Sequence, residues 1–456
     1  MNILVINGSP KGENSVTLQT VRYLELLYPE HTFEVLHAGA RIKALEKDFS
    51  PAVSALEKAE LIVFSYPVYT FIAPYQLHRF IELVKHNGVK LEGKYATQLS
   101  TSKHFYDVTA HAYIQDNCHD LGLKYVRGLS ADMDDLTCEK GRKAAADFFR
   151  YVLFSMKEGL CEAAPAKLPA GERHPAAVPV DVEKTLPGEV VIVTDCEKDD
   201  RQLGGMIDRF RAVTPMKTRV VNIREYPFQG GCLGCFSCAV SGKCVYRDGF
   251  DDFLRGEIQA GRSIVYAFTV RDHSMGAAFK LYDDRQFCNG HRTVTMGMPM
   301  GYLISGDYSR ERNLQTIVEA RAQVGGNFLA GVATDEGDTN AAVDQLAKQL
   351  CWALEEKYAP PQNFYGVGGM KVFRDLIWIM QCMMKADHKF YKAHGQYDFP
   401  QKQWPRMLAM YLVGALMTSP KIKQKAGSKM TEGMLMPYKK ALEAAKKELA
   451  DKQKQQ

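Results

Sequence analysis

The chain has 456 residues, of which 46% are hydrophobic and 24% are charged. This composition is typical of soluble globular proteins and excludes a disordered chain, a collagen-like fibre and a small disulfide-rich scaffold. At roughly 150 residues per domain, the length predicts about three domains. The net charge is only +5, which is too small for a general nucleic-acid-binding protein, so no nucleic-acid partner is expected.

The positive charge is concentrated near the C-terminal end. Residues 421–456 carry ten lysines and four acidic residues, a net charge of +6. We favour a solvated helical tail, with contact to a membrane surface or an acidic partner as the alternative. The nearest long apolar run, residues 407–417, is shorter than the roughly 18 residues that span a bilayer, so no transmembrane segment is predicted.

The first residues and the cysteines predict a cytoplasmic protein. The chain opens with a short apolar run that meets a turn at Gly8 and lacks the basic region of a secretory signal. Four of the eleven cysteines lie in one loop, residues 232–244, and the other seven are scattered. This pattern suits a reducing compartment with one thiolate site better than an extracellular disulfide framework.

Residues 1–158 alternate short apolar runs with helical patterns. Five apolar strands separated by helices predict a parallel sheet that is covered on both faces. The strands are predicted at residues 3–6, 32–36, 61–65, 95–100 and 123–126, and the helices at 15–28, 77–84 and 144–156.

The rest of the chain repeats this organisation. Residues 159–187 contain five prolines and predict an extended linker. The alternation then restarts, and residues 188–359 predict a second α/β domain with strands at 190–193, 219–221, 263–268, 301–304 and 328–332. Residues 360–456 predict a C-terminal helical extension that contains ten of the nineteen methionines. We favour packing of these methionines on the domains, with a hydrophobic lid or docking surface as the alternative.

The loop after the first strand has the features of an anion-binding site. Residues 7–17 lead from a strand into a helix N-terminus, where free backbone N–H groups and the helix dipole attract an anion. The glycine spacing is neither a dinucleotide fingerprint nor a Walker loop. A phosphate site and an ordinary serine-capped turn therefore both remain open. The relevant small and hydroxyl residues are Gly8, Ser9, Gly12, Ser15 and Thr17.

Two further loops are expected at the same edge of the sheet. Residues 65–74 follow the third strand and residues 100–105 follow the fourth. In a flavodoxin-like strand order, both loops flank the crevice that the first loop borders. Tyr69 and Phe71 suit the walls around a planar ring system, although they could equally be core aromatics.

These motifs resemble the flavodoxin-like NAD(P)H-dependent FMN reductase family. The resemblance rests on residues 7–17, on Pro67-Val68-Tyr69 and on the helical segment 74–81, and it covers most of residues 1–155. It implies FMN as cofactor, NAD(P)H as co-substrate and a possible homodimer. The implied phosphate contacts are Ser9, Lys11, Gly12, Asn14, Ser15 and Thr17. The implied isoalloxazine contacts are Pro67, Val68, Tyr69, Thr70, Phe71, Thr101, Ser102 and His104.

Lys11 is one departure from the family, which often has arginine at this position. A lysine contacts a phosphate as a point charge and lacks the paired donors of a guanidinium.

The cysteine loop has the spacing C-x2-C-x2-C-x5-C. Successive x2 steps are typical of iron–sulfur ligation, whereas structural zinc usually pairs two separated cysteine knuckles. This loop within a flavodoxin-like domain resembles the iron–sulfur flavoproteins of anaerobic prokaryotes, which combine FMN with a 4Fe–4S cluster. Zinc and metal-free thiols remain as alternatives. The candidate ligands are Cys232, Cys235, Cys238 and Cys244.

The second domain departs from the family where a flavin phosphate would lie. Residues 195–200 include four acidic side chains that would repel a phosphate, and residues 269–275 lack the Pro-x-Tyr element. We therefore expect one FMN per chain. The pairs Asp272-His273 and Asp387-His388 are weak acid–base candidates, so no catalytic residue is assigned.

Together, these patterns predict two tandem flavodoxin-like α/β domains followed by a helical extension. The predicted function is an FMN-dependent NAD(P)H oxidoreductase that passes electrons through FMN and an iron–sulfur cluster to a small-molecule or protein acceptor. The alternative is a non-enzymatic electron carrier or a redox-responsive docking module. Members of the family usually dimerise to complete the flavin site. In this chain, the second domain is expected to take the place of the partner subunit.

Overall fold

The computed structural model of the chain describes residues 1–166, 168–417 and 420–454, without the side chains of residues 416–434 and 437. The methionines and the four lysines that fall within 416–434 therefore have no described side chains. The chain forms two compact units, residues 1–393 and residues 394–456. The larger unit contains two parallel sheets, each with helices on its faces.

The first sheet has the strand order β2-β1-β3-β4-β5, and a further strand, β6, also pairs with β4. All of its strands run parallel. The apolar runs of β1 and β3 are buried on both sides, as a parallel sheet between two helical layers requires. The strands are β1 Asn2–Asn7, β2 Thr32–Leu36, β3 Leu61–Pro67, β4 Tyr95–Ser102, β5 Lys124–Tyr125 and β6 Leu129–Asp132. The helices are α1 Val16–Leu27, α2 Ala38–Leu45, α3 Ser50–Lys58, α4 Tyr75–His86, α5 Asp107–Asp120 and α6 Glu139–Glu158.

The second sheet has the strand order β8-β7-β9-β10-β11. When the strands of each domain are counted separately, this is the same order as in the first sheet: second, first, third, fourth, fifth. The predicted fold class, two flavodoxin-like α/β domains followed by helices, is thereby confirmed. The strands are β7 Leu186–Thr194, β8 Met216–Asn222, β9 Ser263–Thr269, β10 Pro299–Ser305 and β11 Phe328–Thr334. The helices are α7 Arg201–Val213, α8 Ser237–Ser241, α9 Phe250–Phe253, α10 Gly276–Arg285, α11 Arg312–Gly325 and α12 Thr339–Glu356.

The proline-rich segment between the sheets packs along the second domain. The backbone N–H of His174 donates to the carbonyl of Asp335 at 2.9 Å. Nearby, Asp307 accepts from the backbone N–H of Gly171 at 3.0 Å and pairs with Arg173. The described residues of this segment form no helix or strand before β7, and the segment is attached to the second domain.

Two helices, α4 and α10, form the centre of the contact between the α/β domains. Their capping is reciprocal. Asp284 of α10 accepts from the backbone N–H of Tyr75 at the start of α4, at 2.7 Å. Glu82 of α4 accepts from the backbone N–H of Ala277 at the start of α10, also at 2.7 Å. One cluster of buried hydrophobic residues runs through both domains, so the two sheets share a core.

The C-terminal region is helical, as predicted. Within the larger unit, α13 Phe364–Ile379 packs against α11, and α14 Lys385–Ala393 packs against α8. The smaller unit contains α15 Trp404–Met417 and α16 Pro420–Lys454. Among the described residues, no helix is both long and apolar enough to cross a membrane.

Candidate functional site

The first loop forms a compact turn in front of α1. The side chain of Asn7 holds it together, because its Nδ2 donates to the carbonyl of Gly12 at 2.9 Å and its Oδ1 accepts from the N–H of Ser9 at 3.1 Å. Gly12 has a φ of 55°, which favours glycine. Ser15 caps α1, since its Oγ accepts from the N–H of Leu18 at 3.4 Å. The role of Asn7 was not predicted, although a polar residue at the last position of a buried strand was a signal for it.

The second loop contains a strained turn. Thr70 and Phe71 have φ values of 45° and 74°, in the left-handed region that residues other than glycine rarely adopt. The turn is closed by hydrogen bonds between the backbones of Tyr69 and Ile72, at 2.8 and 3.2 Å. The second domain holds it in place, because the hydroxyl of Thr70 donates to Asp284 at 2.7 Å. Strained backbone of this kind is concentrated at functional sites.

The second domain has the same turn at the equivalent place. Asp272 and His273 have φ values of 50° and 63°, and the backbones of Arg271 and Ser274 close the turn at 2.9 Å in both directions. This loop lacks the Pro-x-Tyr sequence, so its conformation had no signal in the sequence. The two domains therefore have the same local backbone geometry at this place although their loop sequences differ.

The three predicted loops of the first domain border one cavity of about 200 Å³. Its buried hydroxyls lie at the N-terminus of α1 and at the end of β4. Thr101 is notable because its Oγ1 is buried and has no hydrogen-bond partner among the described residues, which leaves it available to a ligand. The predicted residues that line the cavity are Ser9, Lys11, Ser15, Thr17, Pro67, Val68, Tyr69, Thr70, Thr101 and Ser102.

Four predicted contact residues do not line this cavity. Gly12 lies within the first loop, where its carbonyl accepts the hydrogen bond from Asn7, and Asn14 is exposed to solvent. Phe71 is buried against Phe105, with ring centroids 4.9 Å apart. His104 is directed to Asp107, with 2.7 Å between its Nδ1 and the carboxylate.

The second domain supplies the facing wall of the cavity. All four candidate cysteine ligands line it, together with Phe236, Asp284 and Arg285. The cysteine loop contacts the first domain directly, because the Nε2 of Gln76 donates to the carbonyl of Cys232 at 3.4 Å. The Nζ of Lys11 lies 5.9 Å from the centroid of the Phe236 ring. The phosphate loop and the cysteine loop belong to separate domains. The sequence predicted that the second domain would take a dimer partner's place at the flavin site, but not that its cysteine loop would form the facing wall.

Helix α13 covers part of the same cavity. Its residues Val372, Phe373 and Leu376 line the cavity, and the ring of Phe373 stacks on Phe105 with centroids 4.2 Å apart. This helix packs on the cavity through side chains other than methionine, so the predicted packing of the methionines on the domains stays a prediction. These apolar side chains add a third, hydrophobic side to the cavity.

A buried arginine lies beside the cysteine loop. Arg285 is 1% exposed and forms a bidentate ion pair with Asp248, with both distances 2.8 Å. Its Nη2 lies 3.9 Å from the Sγ of Cys244, and its guanidinium lies 4.6 Å from the ring centroid of Tyr246. The cysteine loop therefore has a buried cation next to one of its sulfurs.

Burial affects two of the other cysteines in the loop. It raises the pKa of the Cys232 thiol, and it raises the pKa of Cys238 to about 11. Without a metal ion, these two sulfurs are therefore protonated at neutral pH. None of the eleven cysteines, which all lie in the described part of the chain, forms a disulfide.

The cysteine side chains share one wall but are not gathered into a metal site. In residues 1–166, 168–417 and 420–454, no group of three or more His, Cys, Asp or Glu side chains is arranged to hold a metal ion. The chemistry of the donors suits a thiophilic centre, and the loop would need to contract around it.

In the second domain, carboxylates occupy the place that corresponds to the phosphate loop. Asp200 caps α7, accepting from the N–H of Leu203 at 3.1 Å, and it also accepts from the hydroxyl of Thr269 at 2.6 Å. Glu197 pairs with Arg224 and Arg271, at 2.7 and 3.0 Å. The acidic loop is therefore neutralised by arginines, and the N-terminus of α7 already has an anion of its own.

The two weak acid–base candidates have structural partners. His273 lies between Asp120 and Glu311, at 3.2 and 3.0 Å. Asp387 is fully buried and accepts from the Nδ1 of His291 at 2.9 Å. His291 lines the cavity, whereas neither member of the Asp387-His388 pair does so.

Comparison with known proteins agrees with this geometry. Residues 1–145 match the model of a family described as having a flavodoxin-like fold. The first domain is a flavodoxin-like domain. The predicted resemblance is thereby confirmed for this part of the chain.

Two curated relatives are similar to parts of the chain. An iron–sulfur flavoprotein of Archaeoglobus fulgidus is 27% identical over 175 residues, which cover 36% of this chain and 78% of the relative. An FMN-dependent NADH:quinone oxidoreductase of Pseudomonas syringae pv. tomato is 32% identical over 121 residues. The match to the second relative covers 20% of this chain and 58% of the relative's length.

Solved structures also resemble the flavodoxin-like domain. An NADH:FMN oxidoreductase in its apo form is 20% identical, with a TM-score of 0.30, and the match covers 36% of this chain and 91% of that protein. An FMN-dependent NADH-azoreductase from Bacillus anthracis, solved in complex with FMN, is 15% identical with a TM-score of 0.28. That match covers 33% of this chain and 98% of the azoreductase.

Proposed function

We propose that the protein is an FMN-dependent oxidoreductase that takes electrons from NADH or NADPH and passes them to a quinone-like small molecule or a redox protein. The observation that carries this proposal is the cavity that the three loops of the first domain and the cysteine loop of the second line together. It combines buried hydroxyls at a helix N-terminus, an unpartnered hydroxyl on Thr101 and apolar walls. The relatives named as FMN-dependent oxidoreductases support the choice of cofactor.

The residues of the first domain fit FMN. When bound, FMN supplies hydride acceptance from nicotinamide and the release of electrons singly or in pairs. Ser9, Ser15 and Thr17, which are all buried, would hold the phosphate at the N-terminus of α1, where the backbone N–H groups and the helix dipole favour an anion. Lys11 would add a positive charge from the exposed side of the loop.

Other residues would position the ring system and keep it dry. The strained turn at Thr70 holds its backbone at the cavity, and Thr101 would donate a hydrogen bond to a polar edge of the ring. Phe373 of α13 would cover the ring from outside. Asn14, Phe71 and His104 would act through the shape of their loops, because they lie outside the cavity lining.

We further propose that Cys232, Cys235, Cys238 and Cys244 hold a 4Fe–4S cluster. Their spacing, their common position on the cavity wall and the cation of Arg285 beside Cys244 support this assignment. A cluster supplies one-electron transfer next to a flavin. The thiols would have to converge on the metal, since the described side chains are not gathered for it. Zinc and metal-free thiols are the other outcomes of the test.

The second domain closes the cavity, so we propose that one chain forms one complete site without the help of a second copy. We also propose one FMN per chain, because Asp200 occupies the N-terminus of α7 in the second domain. A flavin-to-protein ratio near two would contradict this assignment. A reducing cytoplasm suits the eleven unpaired cysteines.

The test is a turnover measurement on anaerobically purified protein loaded with FMN. We expect oxidation of NADH or NADPH to accelerate when a water-soluble quinone is added, and to stop when the FMN is removed. Protein that retains FMN but does not oxidise either nicotinamide would instead be an electron carrier.

A further inference from the structure

Helix α15 is apolar around its whole circumference. Every described side chain from Trp404 to Ala415 is exposed. Successive residues in a helix are rotated by about 100° around its axis. A consecutive run of apolar residues is therefore distributed around the whole helix and is not confined to one stripe. The large ones are Trp404, Met407, Leu408, Met410, Tyr411, Leu412 and Val413.

The distribution of apolar side chains around the helix indicates whether it contacts a protein partner, a protein core or lipid. A protein partner, or a second copy of the chain, covers one stripe of a helix and leaves the opposite side to water. A helix that is apolar on every side is surrounded either by a protein core or by lipid, and α15 is not in a core. Its 14 residues make it about 21 Å long, less than the roughly 30 Å of a bilayer's hydrocarbon core. It therefore suits insertion into one leaflet.

The charges on either side of α15 add a second, independent observation. Residues 399–431 contain six lysine or arginine residues and no acidic residue. Lys402 and Arg406 stand at the start of the apolar run, and Lys421, Lys423 and Lys425 follow its end. Cationic residues at both ends of an apolar helix complement the negative surface of anionic lipids. Trp404 stands at one end of the run, where tryptophan is favoured at the boundary between lipid and water.

We propose that α15 and its flanking cationic residues dock the protein on the surface of an anionic phospholipid bilayer, with the helix inserted into one leaflet. The proposal goes beyond the oxidoreductase function and does not depend on it. It assigns the exposed apolar residues of the smaller unit to a lipid surface, whereas the larger unit stays outside the hydrocarbon.

The experiment is co-flotation of the full-length protein with phospholipid vesicles. We expect binding to phosphatidylcholine vesicles that contain about one quarter phosphatidylglycerol, and at least about tenfold weaker binding to phosphatidylcholine alone. High salt should weaken the binding to the anionic vesicles. The fluorescence of Trp404 should shift to shorter wavelength on binding, and Trp404→Phe should remove most of that shift.

A double variant, Leu408→Asp with Leu412→Asp, places two charges on α15 and should weaken binding at least about tenfold. The matched control is Leu26→Asp, which makes the same change at an exposed position of α1 in the other unit and should bind vesicles like the wild type. Thermal unfolding of both variants shows that the fold is kept. A third variant, with Lys421, Lys423 and Lys425 changed to Glu, should lose the preference for anionic lipid.

Several results would overturn the proposal. They are a wild-type protein that does not float with anionic vesicles, a double variant that floats as well as the wild type, and equal binding to neutral and anionic vesicles. A lipid-free dimer that the double variant converts to monomer would assign α15 to a second copy of the chain instead.

Discussion

The phenolic hydroxyl of Tyr69 lies in the space that the Cβ atom of any other residue at position 234 would occupy, so it packs directly against Gly234. Tyr69 belongs to the strained loop of the first domain, and Gly234 belongs to the cysteine loop of the second. Gly234 also has a φ of 60°, so only glycine meets both the space and the backbone conformation. The two loops are therefore in direct contact, and the cavity between them depends on both domains.

Replacing Gly234 with alanine should disturb this contact. The new Cβ would displace the Tyr69 side chain and strain the backbone, so we expect a loss of about 1–3 kcal/mol of stability and weaker FMN binding. Thermal unfolding and flavin titration measure the two effects. Gly204→Ala is the matched control, because a Cβ at Gly204 of α7 meets no atom of the described residues within 4 Å. It should leave FMN binding unchanged and stabilise the helix slightly. Equal FMN affinity in both variants would contradict the shared site.

A negative charge at Ser15 should expel the flavin and leave the fold intact. Aspartate caps a helix as well as serine does, so Ser15→Asp keeps the start of α1 while it repels a phosphate. We expect FMN affinity to fall at least about tenfold, which is about 1.4 kcal/mol. Asn14→Asp adds the same charge one residue away, at an exposed position outside the cavity lining, and should have a much smaller effect. Unchanged affinity in Ser15→Asp would refute the phosphate assignment.

The ion pairs of His273 should make stability depend on pH. Burial lowers the pKa of this histidine, but Asp120 and Glu311 outweigh that effect and raise it from 6.5 to about 10. Below about pH 6.5 the histidine is protonated in both the folded and the unfolded chain, so the stabilisation is complete. Between pH 6.5 and 10, His273 is protonated in the folded chain but neutral in the unfolded chain. Folding then requires the uptake of a proton, which becomes less favourable as the pH rises, so the stabilisation is lost as the pH approaches 10.

We therefore expect His273→Gln to lower the free energy of unfolding by about 2 kcal/mol at pH 6, and by less as the pH approaches 10. Denaturant unfolding at several pH values measures this difference. His86→Gln, at an exposed position of α4, is the control and should change stability little at any of these pH values. A difference for His273→Gln that grows with pH would show that the assigned ion pairs are wrong.

Anaerobic reconstitution tests the four-cysteine loop. We expect about four iron and four sulfide per chain, because each thiolate ligates one iron of the cluster. Cys235→Ser and Cys238→Ser should lower the iron content strongly, whereas Cys138→Ser, an exposed cysteine in the first domain, should leave it unchanged. Zinc bound in place of iron would identify a structural site. Protein that binds neither metal would assign the loop to free thiols.

The sequence predicts best the strands that contain an unbroken run of apolar residues, because this local pattern is enough to identify a buried strand. The runs at β1, β3 and β9 are apolar on both faces, and a parallel sheet between helices requires that pattern. Strand β6 was missed because it is short and contains Ser130 and Asp132. It exists because β4 extends beyond β5, and the backbone of Leu99 to Ser102 pairs with it.

The candidate site was predictable only in part, for the same reason. A helix N-terminus with nearby hydroxyls is a local feature, so the residues around Ser9 and Ser15 could be identified from the sequence. The facing wall depends on the packing of α4 against α10, which brings Cys232 to Gln76, 156 positions earlier in the chain. The turn at Asp272 and His273 contains no glycine, so its left-handed backbone had no local signal.

The measurement that most directly tests the proposed function is an anaerobic titration of the FMN-loaded protein with NADH and with NADPH, followed by the visible absorbance of the flavin. About one equivalent of one nicotinamide should bleach the bound flavin. Gly234→Ala should reduce the amount of bound flavin that can be bleached. Bound FMN that stays oxidised in the presence of excess NADH and NADPH would contradict the proposed function.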